Sequence, residues 1–215
     1  MKPRIKICCI NSIEEAHLAI RYGASAIGLV SAMPSGPGPI SEPLIKEIAK
    51  IVPPGIATFL LTCKQTANEV IAQQRYTRVN TIQLVDAFPI EEYSILREAL
   101  PGIRFVQVIH VMDDDSIIEA QTVAPHVDAL LLDSGNPKLA IKELGGTGRV
   151  HNWEISRKIR DSVSIPIYLA GGLNPANIRD AIDAVQPFGV DLCSGVRTNG
   201  MLDEEKLNMF VTTIS

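Results

Sequence analysis

Eight times between residues 4 and 204, a short apolar run rich in β-branched residues gives way to a longer segment with helical spacing. Such alternation is the mark of βα units sharing a parallel sheet. The strand segments are 4–9, 26–30, 56–61, 81–85, 104–111, 129–132, 166–169 and 189–192. Helices begin near Ser12, Glu42, Thr66, Ile90, Asp115, Trp153, Asn174 and Glu204, several with a Ser, Thr, Asp or Asn where an N-cap belongs. Eight regular units with no long interruption predict one closed domain over residues 1–215, a single-domain (β/α)8 TIM barrel of the α/β class, over an open doubly wound sheet.

Length and charge agree with that expectation and exclude other classes. A chain of 215 residues buries a full core, and 46% apolar with 20% charged residues is ordinary for a globular protein. The net charge of -4 provides no basic face for nucleic acid. The opening MKPRIKICCINS has no long apolar segment behind its charges, so we expect no signal peptide, no membrane association and a cytoplasmic location. Four cysteines, at positions 8, 9, 63 and 193, are too few and too scattered for a disulfide framework, and no CxxC pair suggests a metal.

A barrel of this kind places its chemistry on the loops after the strands. In RIKICCI, alternation sets Arg4, Lys6 and Cys8 on one face and Ile5, Ile7 and Cys9 on the other. With the apolar set toward the helices, Lys6 and Cys8 point inward, and a cation one strand-step away favours a thiolate at Cys8. Read alone, Cys8 is either a base of this kind or a small buried residue; Cys9, on the helix-facing side, and Cys63 read as structural. Asp133 ends the apolar run VDALLLD where a barrel meets its substrate, as a proton donor or as a loop cap.

The connection after Asp133 carries GGTGR, with Gly146 expected to line the substrate, and is longer than the usual loop of roughly 2 to 6 residues, as lids often are. LAGGLNP after strand seven and DLCSGVR after strand eight put glycines in the two loops that hold phosphate in this fold. The acids Asp113, Asp114 and Asp115 read as a solvated turn that caps the next helix. His17 and His126 read as surface residues, His110 is placed near the mouth, and His151 lies in the lid segment.

Taken together and in order, KICCI, LLLDS, GGTG, LAGGLNP and VDLCSGV resemble the phosphoribosylanthranilate isomerase family over nearly the whole chain. The resemblance implies a (β/α)8 barrel that needs no cofactor and performs an Amadori rearrangement of a phosphorylated sugar in tryptophan biosynthesis, as a monomer or homodimer. It also implies that Cys8 is the general base, that Asp133 is the general acid, and that Gly171, Gly172, Ser194 and Gly195 hold the phosphate. Lys6 and Asp191, both interior residues near the mouth, are suited to an ion pair tuning Cys8, which is our inference and no part of the family pattern.

The departures are local. KICGIT of the family is KICCIN here, so Cys9 replaces a glycine and Asn11 a threonine; QLHG is QLVDAF; and FDW is HNW, giving Asn152 in place of an acidic cap. Most consequential is SAMPSGPGPIS at 31–41, which puts Gly38 where the resemblance implies an arginine for the anthranilate end. An isomerase or epimerase of another phosphorylated sugar, or a non-catalytic phosphate-binding relative, are therefore the competing expectations.

Overall fold

The computed structural model describes residues 2–214. Eight parallel strands close a barrel in chain order: β1 (Arg4–Ile7), β2 (Ala26–Val30), β3 (Ala57–Thr62), β4 (Thr81–Leu84), β5 (Arg104–His110), β6 (Ala129–Asp133), β7 (Ile167–Leu169) and β8 (Gly189–Leu192). The helices between them are α1 (Ile13–Arg21), α2 (Glu42–Ile51), α3 (Ala67–Thr77), α4 (Glu92–Ala99), α5 (Asp115–Val123), α6 (Trp153–Ser162), α7 (Ile178–Val185) and α8 (Glu204–Thr213). The ring is sealed where β1 pairs with β8, with Lys6 opposite Asp191 and Ile7 opposite Leu192.

Strand alternation sorts the apolar residues into two layers. One set, including Ile7, Ile27, Leu60, Ile82, Phe105 and Ile109, packs outward against the helices. The other, including Cys8, Phe59, Leu61, Val106, Val108 and Leu131, fills the barrel interior. Side-chain caps start several helices: Ser12 accepts from the Glu15 amide at 3.1 Å, and Asn152 from the Glu154 amide at 2.9 Å. A cap of this kind contributes about 1 kcal/mol, and Asn152 makes one without an acidic side chain. Among the described residues no helix is long and apolar enough to cross a membrane.

Three expectations are corrected. The first strand stops at Ile7, and Cys9 takes a left-handed φ of 61°, which turns it out of the strand and away from the helix-facing side. Helix α7 starts at Ile178 instead of near Asn174, because 174–177 is a turn. There the Asn174 amide donates to Asn177 Oδ1 and the Ala176 amide to Asn174 Oδ1, both at 2.9 Å. His126 is half-buried and stacks on Tyr93 with ring centroids 5.6 Å apart, whereas His17 is exposed.

Candidate active site

Inside the barrel, β1 delivers a charge, and the residue after it, Cys8, a thiol. Lys6 is fully buried and its Nζ lies 2.7 Å from Asp191 Oδ2 on the neighbouring strand. Burial alone would lower the Lys6 pKa, but the attraction of Asp191, then of Cys8, outweighs it and leaves it raised, so the ammonium persists. Gly28 on β2 makes the room: a Cβ there would come within 2.8 Å of Cys8 Sγ and 3.2 Å of Lys6 Nζ. The sulfur and the ammonium thus share one inner face.

Above this layer opens a cavity of about 700 Å³, counting its mouth, whose wall includes Cys8, Asp133, Gly145, Gly146, Gly171, Gly172, Asp191 and Ser194. Asp133 is buried at the end of β6, and its Oδ1 accepts the Ser134 amide at 2.7 Å. A side chain at Gly145 would meet Asp133 Oδ2 at 2.4 Å, so the glycine lets the loop over residues 134–152 lie on the carboxylate. That loop also touches the segment after β2: a Cβ on Gly146 would strike Pro37 at 2.4 Å, and Ser35 Oγ donates to the Lys142 carbonyl. Met33, Pro37, Leu61, Val85 and Leu144 make the cavity apolar at this end.

The opposite end is built of bare backbone. Gly171 and Gly172 have φ of 82° and 63°, values that favour glycine. Gly172 lies against the loop over residues 134–152, where a Cβ would come 2.7 Å from the Arg149 carbonyl carbon. Gly195 is behind the wall: a Cβ there would be 2.0 Å from the Leu173 carbonyl oxygen, so it sets how closely the loops after β7 and β8 approach. Lys6 is likewise one layer beneath the wall.

Gly38, with φ of 81°, is in neither the wall nor the mouth; a Cβ on it would meet Cys9 Cβ at 2.6 Å. Cys9 itself lines the cavity, and its Sγ is 2.8 Å from that of Cys193. His110 is buried with its Nε2 on the Val85 carbonyl at 2.9 Å, outside the cavity wall. His151 Nε2 meets Ser156 Oγ at 2.7 Å, and burial, against a smaller pull from Asp133, lowers its pKa to about 4, so the ring is neutral. Cys63 donates to the Ala32 carbonyl at 3.4 Å. Among the described residues no cluster of His, Cys, Asp or Glu is arranged to hold a metal.

Two residues at or beside the cavity have no signature in the sequence that places them there. Arg197 is buried and forms a two-pronged pair with Glu15, at 2.8 and 2.9 Å. It also donates to the Cys9 carbonyl at 2.6 Å and to that of Cys8 at 3.3 Å, so it holds the backbone that carries the thiols. Its signal was the arginine closing DLCSGVR, but nothing in the spacing ties it to a glutamate in the first helix. Gln83, on β4, is in the cavity wall, and its buried Oε1 has no hydrogen-bond partner among the described residues.

The chain matches the family described as N-(5'-phosphoribosyl)anthranilate (PRA) isomerase over residues 5–213. It is 38% identical to "N-(5'-phosphoribosyl)anthranilate isomerase 2" of Methanosarcina mazei, covering 97% of this chain and 92% of that protein. Its structure is similar to that of phosphoribosyl anthranilate isomerase from Thermotoga maritima, with a TM-score of 0.84 and 29% identity over 99% of this chain and 98% of the other. A phosphoribosyl anthranilate isomerase in complex with reduced 1-(o-carboxyphenylamino)-1-deoxyribulose 5-phosphate gives a TM-score of 0.82 and 27% identity, over 99% and 98% of the two chains. The barrel, the cavity and these matches agree: the chain belongs to the N-(5'-phosphoribosyl)anthranilate isomerase family.

Proposed function

We propose that the protein catalyses the Amadori rearrangement of N-(5'-phosphoribosyl)anthranilate, with Asp133 as general acid and Cys8 as general base. The observation that carries this reading is that a carboxyl and a thiol, from β6 and β1, share one cavity with the glycine backbone of Gly171 and Gly172. Asp133 protonates the ribose ring oxygen as its bond to C1' breaks, leaving a Schiff base. The Cys8 thiolate then removes the proton from C2', and the resulting enolamine tautomerises to the ketone. No step needs a cofactor or a metal.

In the same reading the substrate phosphate sits on the backbone of Gly171, Gly172 and Ser194, with Gly195 holding the two loops together. The aromatic ring occupies the apolar end between Leu61 and Leu144, and Gln83 Oε1 accepts a hydrogen bond from a ribose hydroxyl or the secondary amine. Lys6, anchored by Asp191, supplies the positive charge beside the Cys8 sulfur. The enzyme acts in the cytoplasm, where a phosphorylated substrate is retained, as a monomer or homodimer, which light scattering distinguishes.

The test is turnover of substrate generated in situ, followed by loss of its fluorescence. Cys8→Ala and Asp133→Asn should each lower kcat by roughly 10²–10⁴ while circular dichroism stays that of the parent. Absence of turnover by folded parent protein, or parental rates in both variants, would overturn the reading.

A further inference from the structure

The contact between Cys9 and Cys193 has no part in the proton transfers. Both side chains line the cavity, both are free thiols, and their sulfurs are 2.8 Å apart. The seam that closes the barrel brings them together. Ile7 and Leu192 are register partners and the Cys8 amide donates to the Leu192 carbonyl at 2.7 Å, so the turn after β1 that carries Cys9 lies beside Cys193, the residue after β8. Continued one residue, that register sets Cys8 beside Cys193, and the left-handed φ of 61° at Cys9 then brings the Cys9 sulfur to that of Cys193.

We propose that Cys9 and Cys193 form a thiol-oxidation site, which a peroxide converts to a disulfide across the seam between β1 and β8. The Cys193 thiolate attacks a peroxide oxygen, breaking the O–O bond and giving a sulfenic acid and, from hydrogen peroxide, water. The Cys9 sulfur then attacks the sulfenyl sulfur; the S–S bond forms, the S–O bond breaks, and the hydroxide leaves with the Cys9 proton as a second water. Two thiols are oxidised by two electrons and one peroxide is reduced.

The surroundings assign these roles. Cys193 is partly exposed in the cavity, so a small oxidant reaches it, whereas Cys9 is buried. The hydrogen bond with Cys9, then the Arg197 charge, lowers the Cys193 pKa against the effect of burial. The contacts with Cys193 and Cys8, with burial, raise that of Cys9, which therefore keeps its proton until the second step. Cys8, the remaining nearby thiol, is a poor alternative partner for Cys9, because a disulfide between chain neighbours distorts the intervening planar peptide. The site joins the loop carrying Cys8 to the loop carrying Ser194, so its oxidation state bears on catalysis whichever substrate the cavity takes.

The experiment treats the full-length protein with hydrogen peroxide in small molar excess, alkylates the remaining thiols in denaturant, and maps the peptides by mass spectrometry with fragmentation to separate Cys8 from Cys9. The expected result is a peptide in which Cys9 is joined to Cys193 while Cys8 and Cys63 remain alkylated, and dithiothreitol returns all four thiols and any lost isomerase activity. Linkage through Cys8, linkage between molecules, or sulfinic acid at Cys8 with Cys9 and Cys193 still alkylated would overturn the proposal. So would four free thiols after peroxide has oxidised an equal concentration of glutathione. In Cys193→Ser no Cys9-linked intramolecular peptide should form; the parent map decides the matter if that variant does not fold.

Discussion

At the scale of single residues, Cys9 and Gly38 are fitted to one another. A Cβ at 38 would lie 2.6 Å from Cys9 Cβ, so each residue limits what the other can be. Gly38→Ala is therefore expected to destabilise the protein by about 1–3 kcal/mol, from its left-handed backbone and the clash. In a Cys9→Gly background the clash is removed, and a double-mutant cycle in urea should give a coupling of roughly 0.5–3 kcal/mol. Additive costs would mean that the two side-chain positions do not interact. His151 supports a second prediction at this scale. Its folded pKa, about 4, is below the unfolded value of about 6.5, so the unfolded chain binds the extra proton between them. Its contribution is then complete above pH 6.5 and is lost as pH falls toward 4, by about 3 kcal/mol, and His151→Gln should remove that portion of the pH dependence of thermal unfolding.

At the scale of elements, the loops after β7 and β8 behave as one part because Gly195 lets them touch. Gly195→Ala would place a methyl 2.0 Å from the Leu173 carbonyl and drive the loops apart. The expected result is a loss of affinity for a phosphorylated product analogue of about tenfold, or 1.4 kcal/mol, by calorimetry, with the helical signal unchanged. How much of this could be read from the sequence depends on how local each cause is. The strands were legible because burial repeats every two residues, and the glycine pairs because a close backbone approach leaves no room for a side chain. Cys9 was misplaced because alternation holds only while the strand lasts, and one positive φ ends it. The start of α7 was missed because Asn174 and Asn177 cap a turn with the same chemistry that caps a helix. Arg197 and Glu15 are separated by 182 positions, and no local pattern relates them.

At the scale of the whole molecule, the barrel is closed by β1 against β8, and Lys6 with Asp191 is the charged contact at that closure. Removing one partner leaves the other buried and uncompensated, so Lys6→Met or Asp191→Asn should each cost about 3–5 kcal/mol in urea unfolding. Replacing both by apolar residues should cost less than either single change, and an equal or larger loss would show that the pair stabilises in its own right. The partners are 185 positions apart, which also orders events during synthesis. A chain emerging from the ribosome presents Lys6 and Cys8 almost at once, but Asp191 and the loop that carries Ser194 come only with the last strand. The first seven strands can collapse onto their helices, yet a competent cavity arises only when the two ends of the chain meet. The cavity wall is accordingly the last thing the chain completes, because Asp191, Cys193 and Ser194 arrive only with β8 and the residues after it.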